Sequence, residues 1–428
     1  MRIWLFLAAA CIATITALPA RSQSLVAPTD FDIPSLYGRG KNTSVFERNR
    51  PEYQALGIPA GGFTLLPRVE TSATHTDNVY LRSTAKKSDT YLTVVPSIYA
   101  RSNWSRHVFQ AAASGNFRRY AKYSSENSSG WTARADGRID VYGESFLTVG
   151  ADGQRVYEER GNIAGSQNNV KPVPVDIQGA YLRGTYAQDR VRGAIEGSVR
   201  NYNFINVAGN ADQNARDYDS AQLGGRLDVA ISPDTAVFVK STLGKSDYKT
   251  GAITGAITDR RDNKDTRILG GANFDLTSLV RGEVGLGYLK REYDSKAFRS
   301  ISGLGVSTKL EYFPSQLATV TFVAQRQIQD AAFTNSGGYF QNVFSLGGDL
   351  EARRNLILSA GVSHEFDTFK GIDRKDKVTS LALSGRYYVN NIVGVGLTLS
   401  NVNRSSSGAN FGPEYKATKI GLSLVFQR

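Results

Sequence analysis

The sequence has almost no cysteine, since Cys11 is the only one among 428 residues. It lies in the apolar run Ile3–Leu18, and the small and polar residues that follow predict a secretory signal peptide over residues 1–22. A lipoprotein signal at Leu7–Cys11 is the alternative, although it has Ala where that motif usually has Leu. The exported chain would contain no thiol, which excludes a disulfide scaffold and cysteine chemistry. No other apolar run reaches the roughly 20 residues of a transmembrane helix.

Residues for acid-base or metal chemistry are also scarce. The histidines are His75, His107 and His364. His364 precedes Glu365, but neighbours on a strand point to opposite faces, so the two cannot form a dyad. No His, Asp and Glu spacing is typical of zinc, and Asp259–Asp265 carries too many basic residues for a calcium loop. We therefore predict that the protein is not an enzyme and holds no metal or cofactor.

The chain is basic but has no compact cluster of basic residues. Its formal charge is +12, charged residues make up 21%, and the mean hydropathy is −0.30. Export argues against nucleic acid, the usual partner of a basic chain. Phosphates of lipopolysaccharide and acidic polysaccharides are the partners that this charge favours.

Turn signals divide the chain at regular intervals. Short polar turns recur roughly every 40 residues. Between two consecutive turns lies a longer break that is rich in Gly, Asn, Ser and charged residues. Segments of about 12 residues connect each turn to the next break, as in transmembrane barrels. The short turns are Ser102-Asn103, Gly143-Glu144, Asp189-Arg190, Ser232-Pro233-Asp234, Thr277-Ser278, Pro314-Ser315, Arg354-Asn355 and Asn390-Asn391. The longer breaks are Asp77–Asp89, Ser124–Gly130, Gly161–Pro174, Asn206–Asp217, Thr250–Asp265, Asp294–Ser300, Asp330–Gly338, Lys370–Lys377 and Arg404–Pro413. This spacing predicts 18 antiparallel strands.

Each predicted strand has one apolar and one polar face. From Trp131 to Tyr142, for example, one parity carries apolar residues and a glycine while the other carries Thr, Arg and Asp. A soluble sandwich would contain strands that are apolar on both faces, and almost none are found. We therefore predict an all-β, transmembrane antiparallel barrel with short periplasmic turns, longer extracellular loops and a lumen that is either an open channel or narrowed by loops or the N-terminal segment.

The predicted barrel occupies residues 62–428 and follows a periplasmic N-terminal segment, residues 23–61. That segment lacks periodicity, and three hypotheses stay open for it: a flexible tail, a lumen plug, or a docking strand for a periplasmic partner. Phe426 lies on the apolar face of the last strand. Its place resembles the terminal aromatic by which outer-membrane barrels are recognised for insertion, although two residues follow it.

An Arg-x-Tyr motif closes several strands just before the longer breaks. Because residues two apart share one face of a strand, each Arg and Tyr lie together. Counted from the apolar positions of their strands, three of these pairs face the lumen. They are candidate lumen and sugar-binding residues, in which Arg would bind anionic groups and Tyr would stack on sugar rings. The alternative is an interfacial belt that contacts lipid headgroups. The three pairs are Arg118 and Tyr120, Arg200 and Tyr202, and Arg291 and Tyr293. By the same alternation, a fourth pair, Arg155 and Tyr157, is predicted to face outward.

The N-terminal third carries a family resemblance. Arg50–Pro67 and Thr76–Tyr80 resemble the start of the family known as putative β-barrel porin 2, and Lys87–Tyr91, Arg101–His107 and Tyr157–Gly161 continue the likeness. The rest of the chain resembles this family mainly in its pattern of strands with alternating apolar and polar residues. The resemblance implies the outer membrane of a Gram-negative bacterium and a connection with exopolysaccharide production. It implies no ligand residues.

Three function classes remain open. The first is the outer-membrane exit for exopolysaccharide, with the polysaccharide and a periplasmic polysaccharide export protein as partners. The second is a passive diffusion porin for small solutes. A structural or sugar-binding barrel without flux is a third hypothesis. All three require outer-membrane lipid, lipopolysaccharide and the barrel assembly machinery. The short loops mildly favour export, because a diffusion porin would show a long inward loop.

Overall fold

A computed structural model describes residues 33–38, 40–158, 160–161, 169–210, 212–251, 259–277, 279–333 and 336–428. The predicted signal peptide with Cys11, residues 23–32 of the N-terminal segment, and Ser278 of one predicted turn lie outside the described residues. Described strands account for most of the remaining chain.

Alternating sequence and regular turns produce nineteen strands within the described ranges. They are β1 (Ile58–Ala60), β2 (Phe63–Thr76), β3 (Asp89–Ser102), β4 (Val108–Tyr120), β5 (Ser128–Tyr142), β6 (Ser145–Tyr157), β7 (Pro174–Gln188), β8 (Val191–Phe204), β9 (Tyr218–Ser232), β10 (Thr235–Tyr248), β11 (Asn263–Leu276), β12 (Val280–Tyr293), β13 (Ile301–Ser315), β14 (Ala318–Phe333), β15 (Ser336–Arg353), β16 (Leu356–Lys370), β17 (Lys375–Tyr388), β18 (Val393–Ser407) and β19 (Tyr415–Gln427). Two short 3-10 helices, Ser124–Glu126 and Asn214–Arg216, lie in the longer connections.

The strands β2 to β19 form one closed antiparallel barrel. Each pairs with its neighbours in the chain, and β19 pairs with β2 from Lys419 opposite Thr76 to Gln427 opposite Arg68. Closure leaves no sheet edge among these eighteen strands, which is the condition for a sheet to span a membrane. The predicted fold and strand number are confirmed, with the short β1 added against β2. We call the edge with the tight turns the turn end and the opposite edge the loop end.

The barrel is apolar outside and charged inside. On β9, Leu223 and Leu227 are 55% and 51% exposed. Arg226, which lies between them, is 3% exposed, and Asp228, which follows Leu227, is 0% exposed. A soluble protein has the reverse arrangement. The outward leucines therefore require a lipid environment, and the predicted assignment of the two faces is confirmed.

One predicted turn and one predicted loop between strands differ in the structure. The turn predicted at Pro314-Ser315 is formed by residues 316 and 317, because β13 continues to Ser315. The break predicted at Asp330–Gly338 is a continued hairpin, in which β14 runs to Phe333 and pairs with Ser336 of β15. Glycine and polar composition predicted a loop there, but these residues have partners inside the barrel that stabilise extended structure.

Candidate functional site

The lumen is the site of interest because most charged side chains of the barrel face it. In the structure, the three Arg-x-Tyr pairs predicted to face the lumen lie on the inward face of their strands. On β8, for example, the outward Val199 is 59% exposed while Tyr202 is 1% exposed. The fourth pair faces outward, since Arg155 lies opposite the exposed Trp131 and forms a two-bond ion pair with Asp176.

The pair on β8 makes an ion pair and an aromatic stack. Arg200 donates two hydrogen bonds, of 2.8 and 3.1 Å, to the carboxylate of Asp152 on β6. Tyr202 stacks on Tyr218 with ring centroids 4.3 Å apart, and Tyr218 stacks in turn on Tyr248. The ring faces of Tyr202 are thus covered by protein. Sugar binding by this tyrosine stays a prediction that would require the stack to open.

The pair on β12 is more deeply buried. Arg291 donates hydrogen bonds of 2.7 and 3.0 Å to Asp265 on β11 and one of 2.5 Å to Asp330 on β14. Tyr248 donates a hydrogen bond of 3.1 Å to the same Asp330. A buried guanidinium needs such partners to offset its lost hydration. Arg291 therefore joins Asp265 of β11 to the loop end of β14.

The pair on β4 lies beside another tyrosine. The Arg118 guanidinium lies 5.1 Å from the ring centroid of Tyr91 on β3, and Tyr120 packs on that ring at 4.8 Å. All three residues have inward parity. The structure does not bring the three Arg-x-Tyr pairs into one site, because they lie on β4, β8 and β12 around the barrel.

The loop end of β14 and β15 leaves the cylinder. Pairing of β14 with β13 stops at Arg326 opposite Val306, whereas pairing with β15 continues to Phe333 opposite Ser336. We call this part, residues 327–333 and 336–342, the lumen hairpin. One side of it is separated from the wall and can bend.

The lumen hairpin bends inward. Ile328 and Phe340 have outward parity, yet they are buried in one cluster with Leu289 and Ile301, which have inward parity on β12 and β13. Only an inward fold of the hairpin brings these two faces together. Gly303 of β13 provides room, because a Cβ there would lie 3.0 Å from the Phe340 ring. The hairpin thus narrows the loop end of the lumen.

The turn end is narrowed by part of the N-terminal segment, residues 33–57 without the undescribed residue 39, which we call the strap. It begins beside β8 and β9, where Ile33 is buried against Ala194 and its carbonyl accepts a hydrogen bond of 3.2 Å from Arg226. Both wall residues face the lumen. The described strap therefore starts inside the barrel.

The middle of the strap follows the inner rim past β11 to β14. Asn42 donates a hydrogen bond of 2.5 Å to Asp275, and the Val45 amide donates one of 3.0 Å to the Thr319 hydroxyl. Glu47 forms an ion pair with Arg281 at 3.0 Å. Burial acts to raise the pKa of Glu47, but Arg281 and the hydrogen bonds of Ser44 outweigh burial, so that this pKa lies below its usual value.

The end of the strap is held by a buried ion pair. Arg50 donates hydrogen bonds of 2.6 Å to Glu351 on β15 and of 2.6 Å to the Val45 carbonyl. The Gln427 amide of β19 donates a hydrogen bond of 3.1 Å to the Tyr53 carbonyl. Since these contacts run in order from β8 to β19, the strap lines the inner wall at the turn end and occupies part of the lumen there. Of the hypotheses for this segment, its contacts match the lumen plug.

Three inward ion pairs of the barrel wall present mainly their cations to the water of the lumen. The side chains of Arg134 and Asp136 are 45% and 8% exposed, those of Arg183 and Glu196 are 28% and 9%, and those of Lys309 and Glu311 are 61% and 11%. The carboxylate is the more exposed partner in other inward pairs, namely Glu283 with Arg226, Asp140 with Arg138, Glu70 with Arg68, Glu47 with Arg281 and Asp265 with Arg291. A passing anion therefore meets exposed cations on several strands.

No described residues form a group able to hold a metal ion. His364 contacts the Thr379 hydroxyl at 2.7 Å on the outer face, whereas Glu365 accepts a hydrogen bond from Gln341 inside, so the two do not form a dyad. No helix in the described ranges is long and apolar enough to cross a membrane.

Phe426 lies on the outer face of the last strand, as predicted, between Val69 and Val393, and is 49% exposed. We expect Phe426→Asp to impair assembly of the barrel. A charge on the lipid-facing surface costs on the order of 1 to 4 kcal/mol depending on depth. The amount of heat-modifiable barrel in the outer membrane measures this, with the inward Ser423→Asp as the matched control. A normal amount of folded Phe426→Asp protein would contradict this prediction.

The sequence alone could not locate the partners of the inward arginines. Asp152, Asp265 and Asp330 lie 48, 26 and 39 positions from the arginines that they bind. Strand register decides these pairings, and register is fixed by hydrogen bonding across the sheet. For Asp265 a signal was available, since it is a carboxylate on the polar parity of the neighbouring strand β11, whereas Asp152 and Asp330 lie two strands from their arginines.

Comparison with known proteins agrees with this architecture. The family described as putative beta-barrel porin 2 matches residues 50–428. Solved structures of OccK1 (OpdK) from Pseudomonas aeruginosa, one of them with vanillate, are 10% identical, with a TM-score of 0.50 over 85% of this chain and 99% of that chain. OccK2 (OpdF) from the same organism is 10% identical, with a TM-score of 0.49 over 85% and 98% of the two chains. A comparison with curated protein sequences finds no match.

Proposed function

Since the chain belongs to the putative beta-barrel porin 2 family and is a porin-like barrel of the bacterial outer membrane, we propose that it forms a narrow channel for small anionic solutes. The observation that carries this proposal is the exposure of Arg134, Arg183 and Lys309 to the lumen while their carboxylate partners are covered. Exposed charge of one sign raises the local concentration of the opposite ion.

The strap and the lumen hairpin support a small solute. They occupy part of the lumen at its two ends, which leaves less room for an extended polymer than for a small solute. Exopolysaccharide export, which the sequence resemblance implies, stays a prediction that no contact of the described residues specifically favours. Deletion of the gene separates the two functions: unchanged polymer release with reduced uptake of small anions favours the diffusion channel, and reduced polymer release favours export.

We expect the purified barrel to be anion-selective in planar bilayers. Replacing Arg134, Arg183 and Lys309 together by Gln should lower the anion-to-cation permeability ratio by about threefold or more, since an exposed charge contributes roughly 0.2 to 1 kcal/mol to such interactions. The carboxylates of Asp136 and Glu196 would also lose their partners. The reversal potential in a salt gradient measures the ratio.

Arg155→Gln is the control for this triple variant, because it removes an arginine from the outer face. Its permeability ratio should equal that of the wild type. A wild-type channel that prefers cations, or a triple variant with unchanged selectivity, would overturn the assignment of the lumen cations.

A further inference from the structure

A cavity of about 160 Å³ lies in the lumen between Phe46 of the strap and the inner wall formed by β16 to β19 and β2. A water needs roughly 10 to 15 Å³ of such volume, and an apolar cavity of about 150 Å³ accepts benzene. The cavity therefore has room for one six-membered ring, such as the ring of a monosaccharide.

Small inward residues make this cavity. Ser359, Ser384 and Ser423 face it from β16, β17 and β19, while β18 contributes Gly394 and Gly396. A Cβ on Gly396 would lie 2.4 Å from the Ser423 hydroxyl oxygen, so the glycine keeps this space open. The wall thus offers several hydroxyl groups, each able to donate and accept a hydrogen bond.

The guanidinium of Arg386 in this wall makes no hydrogen bond to any described residue. Arg386 lines the cavity, and its contacts in the described part of the chain are the Phe46 ring, 5.6 Å away, and electrostatic attraction to Asp349. Asp349 accepts a hydrogen bond from Ser359. Arg68, also in the lining, is paired with Glu70. Arg386 is therefore the lining cation that remains available for a two-bond contact with a carboxylate.

We propose that this cavity binds a monosaccharide-sized carboxylate, such as a uronic acid. Arg386 receives the carboxylate, the serines bond the hydroxyl groups, and the Phe46 ring covers one face of the sugar. The proposal deepens the proposed function, since the site lies in the lumen of that channel. It names the class of anion for which the lumen would be specific.

Isothermal titration of the full-length barrel in detergent tests this site, with D-glucuronate as the probe. We expect Arg386→Gln to weaken binding about ten- to a hundredfold, because it removes a charge-assisted contact. Ser384→Leu, which fills the cavity and keeps Arg386, should weaken binding as well. Arg155→Gln is the control, as an arginine on the outer face and outside the cavity, and should bind like the wild type.

Several outcomes would overturn the site. These are no binding of glucuronate by the folded wild type, equal binding of neutral glucose, equal binding of benzoate, which lacks hydroxyl groups, or unchanged binding by folded Arg386→Gln. Conductance of the same preparations separates this site from the channel. Anion-selective conductance without glucuronate binding overturns the site alone, and glucuronate binding without conductance overturns the channel alone.

Discussion

Removing the strap, residues 33–57, should raise the single-channel conductance of the barrel by about twofold or more, because an eighteen-stranded barrel is wider than its own side chains can fill. The strap contacts the inner wall from Ile33 at β8 and β9 to Tyr53 at β19. Its removal leaves the hydrogen bonds between barrel strands unchanged. Conductance in planar bilayers measures the effect.

A point variant tests the same idea without a deletion. Glu351, whose side chain is 1% exposed, accepts a hydrogen bond from Arg50, and breaking a buried pair by removing one partner costs about 3 to 5 kcal/mol. Glu351→Ala should therefore release the end of the strap and increase conductance. Glu52→Ala is the matched control, since Glu52 forms an exposed pair with Arg354.

Equal conductance of the deletion variant, the Glu351→Ala variant and the wild type would contradict this role of the strap. It would mean that the strap lies beside the path of the ions. Assembly must be checked first, by heat modifiability of each variant. Since Arg48 and Arg354 also lie within 3.5 and 3.7 Å of Glu351, its removal affects the whole charge cluster and not one bond.

The barrel wall could be predicted from the sequence because alternation acts locally. Each strand needs an apolar outer face and a polar inner face, so residues such as Leu223 and Arg226 reveal their orientation without knowledge of any partner. Turn residues then separate the strands. The turn after β13 was misplaced because Pro314 is a strong turn residue that here lies within an extended strand.

The contents of the lumen could not be predicted in this way. The strap has no periodicity, and its place depends on partners such as Asp275, which lies 233 positions from Asn42. In the lumen hairpin, Phe340 has the parity of a lipid-facing residue but packs on Ile301. Parity gives the face of a strand, and only tertiary packing shows that the strand has bent away from the lipid.

Breaking the contact between the lumen hairpin and the wall should open the loop end. Asp330 of the hairpin accepts hydrogen bonds from Arg291 and Tyr248, and Arg261 donates one of 2.6 Å to the Ala331 carbonyl beside it. Asp330→Ala removes the first two bonds. Arg291 keeps Asp265, so the barrel wall should stay folded while the hairpin loses its charged contact.

We expect amide hydrogens of the lumen hairpin to exchange about ten- to a hundredfold faster in Asp330→Ala, since a hydrogen bond to a charged group contributes about 1.5 to 3 kcal/mol and 1.4 kcal/mol corresponds to a factor of ten. Single-channel currents should also show more frequent transitions to a higher level. Asp330→Asn, which keeps one acceptor for Arg291 or Tyr248, should give an intermediate effect.

Asp247→Ala is the matched control, because Asp247 also lies at the loop end but forms an exposed pair with Lys245 on the outer face. Its exchange rates and current levels should equal those of the wild type. If Asp330→Ala leaves hairpin exchange unchanged, the apolar cluster of Ile328, Phe340 and Leu289 is sufficient to hold the hairpin. If exchange increases but the current does not, the hairpin moves without controlling the passage of ions, and the narrow point of the channel lies at the strap.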